Sequence, residues 1–410
     1  IVPAKIKRFT VMDNAPWLTI LGWGEDGPDG LTATSAKILQ DAEIIAGATR
    51  HLDLLPPGYN ATRFCWPVPF AAGLAPFLAL RGKKVVLLAS GHPFWFGAGT
   101  SITQHLQPEE WRALPGLSSF SLAAAALGWP LETTHCMGLH AAPLERLRPH
   151  LGVNKRLLIT LKDGAMAQTV AQYLCAVGFD RSELTVLERL GGPHQKIRST
   201  RADRFNLEKI EHPALLAITP SDGPALPLAN GWPDSVFSHD GQITKRPIRA
   251  LTLSALCPKP GDVLWDLGGG SGSISLEWLA SDTTLTAFCI EQNPDRVSRI
   301  KKNAQELGLD RLHVIQAQAP ETLHDLPLPN AVFIGGGISD ALLHTLWHIL
   351  PADTRLVCNG VTLEAEALLI NWQSEKGGEL LRIELSHMAP LGSKRGWKAN
   401  FPILQWSCTL

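Results

Sequence analysis

The chain has 410 residues, 45% hydrophobic and 18% charged, with a formal net charge of −1 at pH 7. That composition excludes a disordered polymer, and the near-zero charge excludes the global basic field of a general nucleic-acid binder. No apolar run approaches the ~20 residues that span a bilayer, and the opening residues IVPAKIKRFTVMDN lack an apolar stretch with a small-residue cleavage site, so a cytoplasmic protein of two or three domains is expected.

In the first half, WLTIL (17–21), KVVLLAS (84–90), RLLITL (156–161), LTVLERL (184–190) and ALLAIT (214–219) read as strands. Thr34–Ala42 and Met166–Val177 read as helices between them. This alternation predicts α/β layers with largely parallel sheets. Three loops stand out. LGWGEDGPDGLTATSAKILQDAEIIAG (21–47) runs strand, glycine-rich loop, helix, but does not match G-x-G-x-x-G cleanly. ASGHPFWFGAGTSI (89–102) follows a buried strand, and ALPGLSSFSLAAAALGWP (113–130) is a small-residue loop feeding an Ala-rich helix. Residues 219–242, rich in Pro, Gly, Asp and Ser and without periodicity, read as an interdomain linker.

A second series follows. DVLWDLG (262–268), LTAFCIE (285–291), LHVIQA (312–317), NAVFIGG (330–336) and TRLVCNGV (354–361) are strands, separated by helices near 272–281, 294–307 and 338–350 and preceded by a helix over Lys245–Leu256. The strongest local signal is DVLWDLGGGSGSISLEWL (262–279), a buried strand ending at Asp266, then Gly268, Gly269, Gly270 and Gly272, then a helix. Such glycines let the backbone turn sharply and approach a ligand, and an acid at the end of the next strand, here Glu291, can bind both ribose hydroxyls. The turn alone could serve NAD, FAD or S-adenosylmethionine, or merely pack helix on strand. The acid at the strand end, the leading helix and the absence of a Walker lysine favour S-adenosylmethionine. The seven cysteines are scattered without a CxxC pair, which argues against a disulfide framework or a zinc site and for buried free thiols.

HDGQITKRPIRALTLSAL (239–256) followed by DLGGGSGS, with NAVFIGGG (330–337), VCNGVTLE (357–364) and RGWKANFP (395–402), resembles the decarboxylating methyltransferase module of cobalamin biosynthesis. The resemblance implies a Rossmann-like methyltransferase domain over 240–410. It implies cofactor contacts from Thr244, Gly268, Gly269, Gly270, Ser271, Gly272, Glu291, Gln318 and Ala319. Gln318 stands where such modules carry Asp. The three loops of the first half resemble the tetrapyrrole methylase family over 17–212, which implies two α/β subdomains, split near 110, with the cofactor in the cleft between them. By position, Ser90, Gly91, His92, Trp95, Ser118, Ser119 and Leu161 would lie near the cofactor. Two departures are His92, where the family has the Asp of S-G-D-P, and Glu25, where it has a first-loop proline. A tail over 1–16 and a linker region over 213–239 complete the division.

The pairing of the two families implies a bifunctional enzyme with two S-adenosylmethionine sites per chain. The first module would methylate carbon 5 of a corrin precursor. The second would methylate carbon 15 and remove carbon dioxide from the ring C acetate. The macrocycle supplies its own carbon nucleophile, so the protein must hold carbon and methyl in line in a dry cleft, and neither a metal nor a Ser/His/Asp set is expected. Cations should meet the substrate carboxylates. Lys245, Arg246 and Arg249 are candidates, with Lys394, Arg395 and Lys398 near the chain end. His239, Lys245 and His92 are the acid–base candidates. Solvated surface charge and chance placement are the competing explanations for each. The expected partner is a small tetrapyrrole, metal-free rather than cobalt-bearing, without nucleic acid or membrane. The chain is expected to form a homo-oligomer, a tetramer through the C-terminal domain. Two rivals are a tRNA methyltransferase, which salt-sensitive tRNA binding would reveal, and a tetrapyrrole carrier with dead sites, which would bind no S-adenosylmethionine.

Overall fold

The computed structural model describes residues 16–410, so the expected tail lies outside them except for its last residue. The chain divides into two compact units. Unit 1 holds the described residues to Ala142 and Gly152–Pro224, and unit 2 holds Pro143–Leu151 and Ala225–Leu410.

Unit 1 carries two sheets. The first comprises β1 (Leu18–Trp23), β2 (Ile44–Gly47), β3 (Thr62–Cys65), β4 (Val85–Ser90) and β5 (Trp111–Leu114) in the order β3-β2-β4-β1-β5. Every pairing in it is parallel. β1 is buried along its whole length, as a strand covered on both faces must be. Its alternate residues serve two cores, Leu18 and Ile20 with Phe77 on one face and Leu21 and Trp23 with Leu39 on the other.

The second sheet comprises β6 (His135–Gly138), β7 (Leu157–Thr160), β8 (Glu183–Glu188), β9 (Lys196–Arg201) and β10 (Ala214–Thr219) in the order β6-β7-β10-β8-β9. Here the expectation of a largely parallel sheet fails. Only β6 and β7 pair in parallel, and β10 runs antiparallel to both its neighbours. The connection from β8 to β9 spans only residues 189–195, too short for a parallel crossover. The Ala-rich helix Ser119–Leu127 packs Phe120, Ala123 and Ala124 against Leu158, Leu187 and Leu215 of this sheet.

Unit 2 is built on a seven-stranded sheet. Its strands are β11 (Val263–Leu267), β12 (Thr286–Glu291), β13 (His313–Gln316), β14 (Ala331–Ile334), β15 (Arg355–Gly360), β16 (Glu379–Ile383) and β19 (Ile403–Thr409) in the order β13-β12-β11-β14-β15-β19-β16. The first five are parallel, and β19 is antiparallel to both neighbours. Chain order reverses between β11 and β14, which opens a crevice at the carboxyl ends of the strands. β17 (Ser386–Leu391) and β18 (Lys394–Ala399) form a separate hairpin, on which Met388, Leu391 and Trp397 are exposed.

The Pro- and Gly-rich stretch read as a linker is held by buried polar groups of unit 2 over its second half. Glu277, fully buried, accepts from the backbone N–H of Gly231 at 2.5 Å and of Trp232 at 2.9 Å. Arg249 donates from Nε to Glu277 at 2.5 Å and caps the carbonyls of Trp232 and Thr244. Asn303 accepts from Ser238 N and donates to the carbonyls of Ser238 and Ser271, which ties this segment to the glycine turn. Among the seven free thiols, Cys289 and Cys358 are buried as expected, whereas Cys65, Cys175 and Cys257 are exposed because they lie at element ends rather than inside apolar strands. No helix among the described residues is long and apolar enough to cross a membrane.

Candidate active site

In unit 2 the parallel register carries the ends of three strands to one edge: Leu267 pairs with Ile290, and Glu291 with Gln316. The turn after β11 therefore lies beside Glu291 and the segment holding Gln318 and Ala319. Gly268, Gly270 and Gly272 adopt φ of 77°, 59° and 75°, a left-handed sequence that side-chain-bearing residues resist. A Cβ at Gly269 would sit 2.1 Å from Cys289 Sγ, so this side of the turn is packed shut. A Cβ at Gly270 would meet nothing nearer than the Gln242 carbonyl at 3.6 Å, so that side is open.

Polar groups surround the open side. Glu291 accepts from Gly270 N at 2.9 Å through Oε2 and from Asn293 N at 2.9 Å through Oε1. Each carboxylate oxygen keeps capacity for a further donor. Asp266 Oδ2 accepts from Ser275 Oγ at 2.6 Å, while Asp266 Oδ1 and Ser271 Oγ are buried without a partner. Burial raises the Asp266 carboxyl to about 6, against its bond from Ser275. Orphaned buried polar atoms beside an open glycine turn, with an acid at the next strand end, fit a nucleoside-bearing ligand such as S-adenosylmethionine.

The remaining candidates of unit 2 fall into three groups. Thr244 offers its carbonyl to Arg249, two residues before the helix Arg246–Leu256, and Gln318 is exposed while Ala319 is half-buried. Arg249 must be corrected. It is fully buried, pairs with Glu277 and Asp234, and lies 4.8 Å from the Phe237 ring centroid, so its guanidinium is committed to the scaffold and does not meet a substrate carboxylate. Lys245 sits 3.9 Å from Asp234, Arg246 is exposed, and His239 Nδ1 accepts from Gly241 N at 3.0 Å. Lys394, Arg395 and Lys398 are exposed on β18.

In unit 1 the loops after β1, β4 and β5 meet backbone to backbone. A Cβ on Gly22 would lie 2.0 Å from Gly116 N and 2.1 Å from the Gly91 carbonyl. Gly91 N donates to the Trp23 carbonyl and Gly116 N to the Gly91 carbonyl, each at 3.0 Å. Ser90, Gly91 and Ser119 line a small open cavity together with Trp23, Glu25, Arg50 and Leu117. Ser118 Oγ accepts from Ser121 N at 3.0 Å, so this hydroxyl starts the helix. His92 Nδ1 accepts from Phe94 N at 3.2 Å. An Asp there could take the same bond two residues on, which explains how the turn survives the departure. Trp95 packs 4.9 Å from Phe120, and Leu161 is buried, with its N–H donating to the Ala214 carbonyl at 3.1 Å.

Arg50, His51 and Arg189 have no sequence signal. Glu25 is only 7% exposed and receives Arg50 Nη1 on Oε1 and Arg189 Nε on Oε2 at 3.3 Å. Arg50 Nη2 also donates to Ser90 Oγ at 2.9 Å, and His51 Nε2 lies 3.0 Å from the same hydroxyl. A guanidinium can only donate, so His51 Nε2, 3.0 Å from Arg50 Nη2, is the acceptor. Burial, then the charge of Arg50, pushes the His51 imidazole down to about 3 and keeps it neutral. Glu25 stood out in the sequence only as a departure in the first loop, and nothing in the spacing pointed to arginines 25 and 164 residues away.

Comparison with known proteins follows the same division. Residues 18–205 match the family model described as tetrapyrrole (corrin/porphyrin) methylases, and residues 235–410 match the precorrin methyltransferase domain. Over 400 residues, covering 96% of this chain and 97% of the relative, the chain is 42% identical to the precorrin-6Y C(5,15)-methyltransferase [decarboxylating] of Sinorhizobium sp. It is 26% identical over 182 residues, 44% of this chain and 88% of the relative, to the cobalt-precorrin-7 C(5)-methyltransferase of Salmonella typhimurium. It is 33% identical over 141 residues, 33% of this chain and 71% of the relative, to the probable cobalt-precorrin-6B C(15)-methyltransferase (decarboxylating) of Saccharolobus solfataricus.

Proposed function

We propose, from the premise that this chain belongs to the precorrin-6Y C(5,15)-methyltransferase (decarboxylating) family, that it methylates precorrin-6Y at carbons 5 and 15 and decarboxylates the ring C acetate to give precorrin-8X. The chain is an S-adenosylmethionine-dependent methyltransferase. The observation that carries the full reading is the presence of two unlike cradles in one polypeptide: the backbone-packed loops around Gly22, Gly91 and Gly116, and the glycine turn from Gly268 to Gly272.

In this reading unit 1 serves carbon 5, and unit 2 serves carbon 15 and the decarboxylation. Separate relatives named for a C(5)-methyltransferase and for a C(15)-methyltransferase (decarboxylating) support that split. Their names also carry cobalt, but the relative matched along nearly its whole length does not, which favours a metal-free substrate. S-adenosylmethionine supplies, when bound, a methyl group on a positively charged sulfur. In unit 2, Glu291 would orient the ribose and Ser271 and Asp266 would accept or donate to polar groups above the turn, with Thr244, Gln318 and Ala319 at its rim. In unit 1, Ser90, Gly91, His92, Trp95, Ser119 and Leu161 would surround the donor, while Ser118 keeps its hydroxyl on the helix start. In unit 1 close backbone packing around Gly22, and in unit 2 the packed Gly269 side of the turn, would fix the donor in the near-attack geometry this transfer requires. The exposed Met388, Leu391 and Trp397 support a homo-oligomer formed through unit 2.

Mass analysis of the product made by the purified chain from precorrin-6Y and S-adenosylmethionine tests the proposal. Two added methyl groups with loss of carbon dioxide are expected. A product that gains one methyl and keeps its carboxyl would overturn it.

A further inference from the structure

Unit 1 places two guanidiniums on one buried carboxylate at the polar end of its cavity. Glu25, Arg50 and Ser90 line that polar end, and Arg189 adjoins it through Glu25, so four separate elements contribute. Glu25 follows β1, Arg50 lies on the helix Thr49–Asp53, Ser90 ends β4, and Arg189 follows β8. Glu25 is a single carboxylate, buried, between two guanidiniums that remain 31% and 27% exposed. One arginine would suffice to neutralise it. The nearest other charges do not cancel the second. Glu211 reaches Arg189 at 3.5 Å but is itself taken by Lys196 at 2.5 Å. Each guanidinium therefore shares its carboxylate with a second cation, Glu25 lying between the two arginines and Glu211 between Arg189 and Lys196. The two histidines beside them add no charge, since burial holds both His51 and His212 below their ordinary range, with Arg50 contributing to each.

We infer that Arg50 and Arg189 form a recognition site for one carboxylate of the substrate, an acetate or propionate arm of the macrocycle, and that Glu25 is the positioning residue that aims both. Three features favour this use. Each guanidinium has five donors in a rigid fork, more than the Glu25, Ser90, His51 and Glu211 acceptors consume, and planar bidentate capture of a carboxylate is what such a fork does best. Arg189 is held at φ 48°, a left-handed conformation costly for a residue with a side chain, as expected where a functional group must be aimed. Beside this cationic end, the cavity is walled by Trp23, Leu117, Leu122, Leu190 and Leu215. An apolar wall with a fixed positive edge matches a flat ring fringed with acids.

The inference rests on unit 1 being the carbon-5 methylase, and the test separates the two. In the full chain, carbon-5 methylation of precorrin-6Y is followed by mass analysis, and S-adenosylhomocysteine binding is measured by calorimetry. Arg50→Gln and Arg189→Gln should each raise KM for the tetrapyrrole roughly 10- to 100-fold, keep kcat within roughly threefold, and leave S-adenosylhomocysteine affinity unchanged. Arg50→Lys, which keeps the charge but not the fork, should recover part of the loss, and Glu25→Gln should raise KM by disordering both arginines. A fall in S-adenosylhomocysteine affinity with unchanged KM would assign the arginines to the cofactor, and unchanged values of both would make the cluster a scaffold; either outcome overturns the inference. If Arg50→Gln fails to fold, Arg50→Lys and Arg189→Gln carry the same test. A wild-type chain that adds no methyl at carbon 5 would instead overturn the reading of unit 1 itself.

Discussion

The two units of this chain build a ligand cradle from opposite materials. Unit 1 uses backbone against backbone, with Gly22, Gly91 and Gly116 so close that no Cβ fits at Gly22, and leaves Arg50 and Arg189 partly exposed around the buried Glu25. Unit 2 uses an open glycine turn and sinks its charges into the scaffold. Arg249 and Glu277 are fully buried and hold the segment 231–244 beside the turn. The difference teaches that the same kind of residue has different work by depth. A half-exposed arginine on a cavity is available to a ligand, whereas a buried one fixes the chain that surrounds the ligand.

If that contrast is right, its largest consequence is in unit 2. Glu277→Ala leaves the buried Arg249 guanidinium only Asp234 as a charge partner and strips the Gly231 and Trp232 amides of their acceptor, and should destabilise unit 2 by about 3–5 kcal/mol while sparing unit 1. Hydrogen exchange read separately over 225–410 and 16–142 checks this, and equal loss in both would break the comparison. Gly22→Ala should be next, at about 3 kcal/mol, because the new methyl collides with backbone that has no rotamer to yield. Here unit 1 should lose protection and carbon-5 methylation, with carbon-15 methylation retained. Glu291→Ala should weaken S-adenosylhomocysteine binding to unit 2 by about 1–3 kcal/mol through lost hydrogen bonds, read by calorimetry. Unchanged affinity would remove Glu291 from the site.

Acid gives the smallest and sharpest contrast. His51 stays neutral when folded to about 3, but its unfolded form gains a proton below 6.5, so unit 1 loses stability as pH falls below 6.5. The same direction holds for His135 and His212. Asp266 is raised to about 6, so the folded unit 2 binds the proton first and gains relative stability as pH falls from 6 toward 4. The buried His51 and Asp266 each contribute up to about 1.4 kcal/mol per pH unit within their windows, and the exposed His135 and His212 add less. Exchange protection at pH 7, 6 and 5 should therefore fall in unit 1 relative to unit 2, and His51→Gln should flatten the slope in unit 1.

Much of the fold was legible because both parallel sheets are built from continuous apolar runs. VVLLAS and VLWDL announce themselves, and each strand expected from such a run is present within two residues of its predicted start. The chain end was not legible. KRGWKA forms a strand although it is polar and exposed, because its ladder partner across the hairpin, not burial, holds it. The glycine turn and Glu291 could be found because local geometry dictates their residue types. Arg249 was misassigned because a basic residue on an amphipathic helix gives no sign that it faces a buried Glu277 twenty-eight residues away. The Glu25–Arg50–Arg189 cluster escaped because it depends on three elements that only the tertiary fold assembles.

The central claim is that two unlike cradles in one chain hold the same methyl donor. Calorimetric titration of the purified chain with S-adenosylhomocysteine tests it most directly. The account predicts two sites per chain, falling to one in Gly270→Val, whose branched side chain enters the open side of the turn at φ 59°. A single site in the wild-type chain, or two that survive that substitution, would contradict it.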